Sequence, residues 1–271
     1  VAMSGWFEYE SGHAWCESAY KYQTHPYIAE FANTITNLPI IVLPLINVLL
    51  LRKYTNTVNA SILIPNLLMT VNGIASTYYH ATINLFGQLV DELSLVWIMN
   101  TFLIVYTPTC KWYPPSYRHT IPLFRSLVLV AALLISCLCF IHPELNSIAL
   151  MFYSIPGVFI IRYEALHSGI PEISSFPSRI FSIWGTSVVL WISDRIFCDV
   201  WLFLGIPYLH ALFHLTSSVA AYTTLLMFSV IDIEARNESH EYTAAIRYFP
   251  NKNGALWCLP YISIREKRSV E

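Results

Sequence analysis

Charge is what this sequence has least of. Of 271 residues, only 12% are Asp, Glu, Lys or Arg, about half the share found in soluble globular domains. The signs nearly cancel, at a formal net charge of −2, so nothing in the overall charge points to nucleic acid as a partner. There is no internal repeat and no low-complexity tract, which sets aside solenoids and disordered linkers. No short cleavable signal peptide is evident. The opening Val-Ala-Met reads as a processing remnant, and the first apolar stretch is expected to act as its own insertion signal.

What is present is hydrophobic length. The chain is 55% hydrophobic, with a mean hydropathy of +0.51. A membrane-spanning helix needs roughly 20 mostly apolar residues. Seven stretches meet that requirement, at 28–51, 62–80, 88–106, 121–141, 145–163, 177–198 and 209–231. The expectation is an all-α membrane protein, a seven-transmembrane-helix bundle over 28–231. A lumenal segment at 1–27 precedes it, and a polar tail at 232–271, extended or partly ordered, follows it. Once these stretches are counted, no room is left for a large soluble domain. His142-Pro143-Glu144 alone separates spans four and five, a tight hairpin, and a short turn around Asn84 to Gly87 joins spans two and three.

Basic residues set the orientation. Arg52, Lys53, Lys111, Arg118, Arg125, Arg162 and Arg179 fall on one side, together with Arg236, Arg247, Lys252, Arg265, Lys267 and Arg268 in the tail. The other side holds Lys21 and Arg195. Thirteen against two puts the N-terminus in a lumen or outside the cell and the C-terminus in the cytosol.

With that topology three histidines meet. Span two runs toward the lumenal side and ends at His80; span seven starts there with His210 and His214, four residues apart and so on one helical face. Asp91 lies near the start of span three on the same side, and Ser76 shares a face with His80. Ionisable groups at membrane depth are expensive and point to function. Taken singly, each residue has a plainer reading: a packed histidine, a small residue at a helix contact, an acid at a helix start. Taken together at one depth, three neutral imidazoles and an open position are what a catalytic zinc ion takes. His13, His25 and His142 lie on the same side but in loops, without helical spacing; His119, His167 and His240 fall on the cytosolic side.

Cys16 and Cys198 fall on the lumenal side, where disulfides persist. A bond between them would tie the N-terminal segment over the mouth of the bundle; the alternative is two free thiols. Cys110 and Cys258 are cytosolic and expected to be reduced, and Cys137 and Cys139 to pack as small apolar groups. The sequons at Asn59 and Asn237 are cytosolic and expected to be unmodified.

Several stretches resemble the alkaline ceramidase family, and with it the seven-span hydrolases that include the adiponectin receptors. They are Trp15-Cys16-Glu17, Tyr27 to Phe31 with Asn33-Thr34, Ser76 to His80, Gly87 to Glu92, Trp191 to Arg195, His210 to His214, Arg247 to Pro250 and Leu259-Pro260-Tyr261. The Ser-x-x-x-His, Asp and His-x-x-x-His set is common to the superfamily; the Trp-Cys-Glu and Ala-Glu-Phe pieces are similar to ceramidases more narrowly. The resemblance implies hydrolysis of ceramide to a sphingoid base and a fatty acid, with zinc on His80, His210 and His214. It implies Asp91 as general base and Ser76 as donor to the developing oxyanion. An endoplasmic reticulum or Golgi membrane suits such a protein, with the plasma membrane also compatible; ceramide and related membrane lipids are the partners expected, and no nucleic acid.

The family also carries calcium beside the zinc. Here Trp15, Glu17 and Glu30 remain of that set, but Ala14 and Ala19 stand where the family has Asp and Asn side chains. Calcium takes six to eight oxygens, so the departure counts against it. A plainer reading of Glu30 is structural, as part of a polar stripe with Asn33 and Asn37, and Asp194-Arg195 reads as a mutual ion pair shaping a loop. Three other readings stay open: a hydrolase of another lipid amide, a seven-span lipid receptor or sensor without turnover, and a metal-free hydrolase with Ser76 as nucleophile. Product release from ceramide separates an enzyme from a receptor, and a chelator separates zinc from serine.

Overall fold

The fold is seen in a computed structural model that describes residues 4–8, 10–12, 15–143, 145–236, 242–251, 254 and 258–266. Ala14, His13, Glu144, His240, the Asn237 sequon and the basic residues Lys252, Lys267 and Arg268 lie outside the described residues. The helices are α1 (Ser4–Glu8), α2 (Phe31–Ile35), α3 (Leu38–Thr57), α4 (Leu63–Thr82), α5 (Leu85–Tyr106), α6 (Ile121–Ile141), α7 (Leu145–His167), α8 (Phe176–Ile196), α9 (Cys198–Phe203) and α10 (Leu209–Ala235). Two strands follow, β1 (Tyr242–Phe249) and β2 (Leu259–Glu266).

Among the described residues, six helical segments are long and apolar enough to cross a membrane: Phe31–Thr57, Ala60–Thr82, Leu85–Tyr106, Pro115–Ile141, Ile148–His167 and Leu209–Ala235. The expectation was seven. The remaining long helix, α8, has 21 residues, about 31 Å at 1.5 Å per residue. It is less apolar because Arg179, Asp194 and Arg195 lie near its ends and Ser178, Ser182, Thr186, Ser187 and Ser193 along it.

Polarity runs inside out. Asn33, Asn37, Asn47, Asn66, Asn72 and Asn100 are buried, while Leu127, Leu134, Met151, Phe152 and Ile155 on α6 and α7 are exposed. Lipid solvates such apolar faces, and between helices it leaves polar side chains to hydrogen-bond one another. Asn47 accordingly donates to Asn66 at 2.9 Å.

The helical hairpin of α4 and α5 positions the site. Ile83 ends α4 in the left-handed region at φ 52°, and the Asn84 side chain then caps α5 by accepting the Gly87 N–H at 2.7 Å. A Cβ at Gly87 would meet the Tyr79 Cα at 2.9 Å, so glycine lets the two helices close at this end. Gly73 does the same for α3 and α4, where a Cβ would meet Ile41 Cγ1 at 2.7 Å.

The opposite end of the bundle holds the main apolar core, including Leu51, Tyr54, Tyr106, Phe176, Tyr222, Phe228 and Ile262. Within it the buried Asp232 carboxylate accepts from Tyr54 Oη at 2.7 Å, Asn59 Nδ2 at 2.9 Å and Thr109 Oγ1 at 3.1 Å. The tail departs from the all-α expectation. β1 and β2 form an antiparallel hairpin with Ile246 opposite Ile262, and Tyr242, Ala244, Ile246 and Ile264 pack on the core. That period of two is a strand signature, and a tail judged by its average polarity conceals it.

Candidate metal centre and active site

His80 lies in the last turn of α4 and is buried, because Ala29 and Glu30 of the preceding segment bond back to the end of that helix. The Ala29 N–H donates to the Ala81 carbonyl and the Glu30 N–H to the His80 carbonyl, both at 3.0 Å. His210 and His214 sit in the first two turns of α10 and are also buried. One potential ligand atom from each of the three histidines lies within 4.8 Å of the others. Imidazole centroids are 5.1 Å apart for His80 and His210, 4.8 Å for His80 and His214, and 4.5 Å for His210 and His214.

The outer nitrogens of His80 and His214 are held from behind. His80 Nδ1 is 2.5 Å from Glu30 Oε2. His214 Nδ1 is 3.1 Å from the Asn33 carbonyl and 3.2 Å from Thr36 Oγ1. A carbonyl only accepts, so His214 carries its proton on Nδ1 and leaves Nε2 as a lone pair; the carboxylate imposes the same tautomer on His80. A partner on the far nitrogen is the usual support of a metal-ligating histidine. His210 Nδ1 is buried with no hydrogen-bond partner, and the ring is fixed by stacking instead. Trp15 lies on it at a centroid distance of 3.5 Å with planes 15° apart.

Asp91, one turn and a half into α5, is bonded by Ser76 Oγ and by Asn72 Nδ2, the latter at 3.2 Å. Asn72 also donates to the Asp91 carbonyl at 3.1 Å and to Ser94 Oγ at 2.8 Å. Asn72, Ser76 and His80 recur every four residues and so share one face of α4; that spacing was a sequence signal for Asn72, which sequence reasoning missed.

Cys16 and Cys198 form a disulfide. Asp194 and Arg195 act separately from the ion pair expected of them. Asp194 Oδ2 accepts the Cys16 N–H at 3.0 Å and Oδ1 the His210 N–H at 3.2 Å, while the Arg195 guanidinium lies 5.1 Å over the Trp15 ring. Glu17 uses both oxygens on the start of α2, accepting from Ala32 N at 2.6 Å and Asn33 N at 2.8 Å; burial pushes its carboxyl above the ordinary range. Glu30 takes Asn33 Nδ2 at 3.0 Å on the oxygen that meets His80, and the Ser18 hydroxyl on the other.

The Ceramidase family model matches residues 7–263. The chain belongs to the ceramidase family. A ceramidase relative from Caenorhabditis elegans, named alkaline ceramidase, is 61% identical over 98% of both chains. The alkaline ceramidase of Drosophila melanogaster is 33% identical, covering 93% of this chain and 87% of its own. Human alkaline ceramidase 1 is 27% identical over 97% of this ceramidase and 98% of its own length.

Proposed function

We propose that this chain hydrolyses the amide bond of ceramide within the membrane, releasing a sphingoid base and a free fatty acid. The observation that carries the reading is the convergence of His80, His210 and His214 beside an aspartate bonded to a serine. In this reading α8 is a seventh span. Residues 1–27 and the site face the lumen, 28–231 form the catalytic bundle, and 232–271 are cytosolic. The excess of basic residues at the far end supports that orientation, and endoplasmic reticulum or Golgi is the membrane proposed.

The donor set fits zinc: three imidazoles, two with their outer nitrogens engaged and one with a buried nitrogen left unpartnered. Zinc held by His80, His210 and His214 supplies Lewis acidity, which polarises an amide carbonyl and makes water nucleophilic near neutral pH. Asp91 takes a proton from the attacking water and returns it to the leaving amine. The Ser76 hydroxyl, released from Asp91, donates to the amide oxygen as negative charge develops there. Asn72 keeps the Asp91 carboxylate turned toward Ser76. Glu30 and Asn33 hold two imidazoles in one tautomer. The substrate's hydrocarbon chains enter sideways between helices while its polar head stays at the mouth.

The residues present do not fit calcium. Ala14 and Ala19 offer no side-chain oxygen, and all four carboxylate oxygens of Glu17 and Glu30 are engaged by donors of the protein.

The test is ceramide hydrolysis by the purified protein in detergent, with bound metal measured in parallel, for the native chain and His210→Ala. Stoichiometric zinc and product release, both lost in the variant, are expected. Zinc without hydrolysis points to another lipid or a receptor; hydrolysis with no metal overturns the zinc reading and moves Ser76 to nucleophile.

A further inference from the structure

The turn that joins α8 to α10 is apolar on its outside. Between Ile196 and Tyr208 the only charged residue is Asp199, although a connection in water is ordinarily polar. Phe197, Val200, Leu204, Ile206 and Tyr208 are exposed, and Phe203, the last residue of α9, is 89% exposed. The turn is closed by its own hydrogen bonds. The Ile206 N–H donates to the Trp201 carbonyl at 2.9 Å and the Gly205 N–H to the Leu202 carbonyl at 3.1 Å, with Gly205 reversing the chain at φ 69°. The Trp201 indole donates to the Ser193 carbonyl at 3.1 Å, which fastens α9 to the end of α8.

The helices on either side continue this surface. On α8, Val189, Ile192 and Ile196 are exposed and follow one another at spacings of three and four, so they share one face. That stripe ends where the apolar turn begins. After the turn, the segment Leu209–Ala235, long and apolar enough to cross a membrane, starts at once, and Leu212 in its first turn is exposed. An apolar patch set between two such helices, at the level where one of them enters the bilayer, suits a lipid leaflet. Tyr208 is of the aromatic type that gathers at that boundary.

The turn is also tied to the metal centre. Cys198, the first residue of α9, is disulfide-bonded to Cys16, and the neighbouring Trp15 lies on His210. We propose that the turn between α8 and α10 is seated in the acyl-chain boundary of the leaflet on the histidine side, and that this seat holds Trp15 against His210 through Cys198 and Cys16. The seat rests on α8 being a span, and the link to His210 on the zinc reading given above. Its consequence is a metal centre that is complete where the leaflet supplying the lipid substrate is present.

The experiment places a nitroxide on Phe203→Cys in the full chain, in phosphatidylcholine nanodiscs. A Cys137→Ser background removes the one exposed free thiol. Power-saturation EPR then compares access of oxygen, which partitions into lipid, with access of a water-soluble nickel chelate. Oxygen access is expected to predominate at Phe203→Cys, as at Val189→Cys on α8. Predominant nickel access at Phe203→Cys alone overturns the seat and leaves the α8 span standing; at both positions it overturns the span as well. Exclusion of both reagents at Phe203→Cys overturns the seat in favour of a protein partner, such as a second copy of this chain. For the link, Phe203→Asp/Leu204→Asp is expected to weaken zinc binding about tenfold, read by chelator competition in the same nanodiscs, and Phe203→Leu to keep the native affinity. Unchanged affinity in the double variant overturns the link. A native chain that binds no zinc overturns it together with the zinc reading, while the nitroxide result still decides the seat.

Discussion

Trp15 lies flat on the imidazole of His210, with ring centroids 3.5 Å apart. The tryptophan is one residue from a disulfide that ties it to Cys198, and the carboxylate of Asp194 receives the amides of both Cys16 and His210. One histidine of the candidate metal centre is thus packed by a segment that is nearly two hundred residues away in the chain.

Breaking that tie should loosen His210. Cys198→Ser, or reduction of the native protein, is expected to lower Tm, since losing a native disulfide removes about 2–4 kcal/mol. It should also lower zinc occupancy. Thermal-shift and metal analysis with and without reductant check this; unchanged zinc content would show that stacking by Trp15 does not position the ring.

Glu30 is expected to act through His80. Glu30→Gln keeps the size of the side chain but loses the charge that holds the Nδ1 proton. Zinc affinity should fall about 10–100-fold, read by competition with a chromogenic chelator. An unchanged affinity would return Glu30 to a purely structural role.

Asp91 and Ser76 should separate chemistry from binding. Asp91→Asn is expected to lower kcat about 10²–10⁴-fold and Ser76→Ala about 10²–10³-fold, both with zinc retained. A covalent acyl group trapped on Ser76 would contradict the role given to it.

Calcium should be dispensable. A calcium-selective chelator is expected to leave Tm and turnover unchanged, whereas a zinc chelator abolishes hydrolysis and added zinc restores it. A loss of activity with the calcium chelator alone would show that backbone or water oxygens complete a calcium site despite Ala14 and Ala19.

The sequence by itself determined the class of protein and the meeting of the three histidines. Long apolar stretches and the four-residue spacing of Ser76 and His80, and of His210 and His214, are local properties, and a span of known length carries them to one end of the bundle. The pairing of Cys16 with Cys198 was legible for the same reason, since both lie at the end of the bundle that carries the histidines. Only the tertiary structure decided what stands behind each histidine. Glu30 reaches His80 and Asn33 reaches His214 because α2 packs against α4 and α10, and hydrogen-bond geometry between separate elements depends on that packing rather than on spacing along the chain. The tail hairpin was missed because a period of two is hidden when polarity is averaged. Asp194 and Arg195, adjacent in sequence, looked like each other's partners; their side chains leave the helix in different directions, one to two backbone amides and one to the face of Trp15.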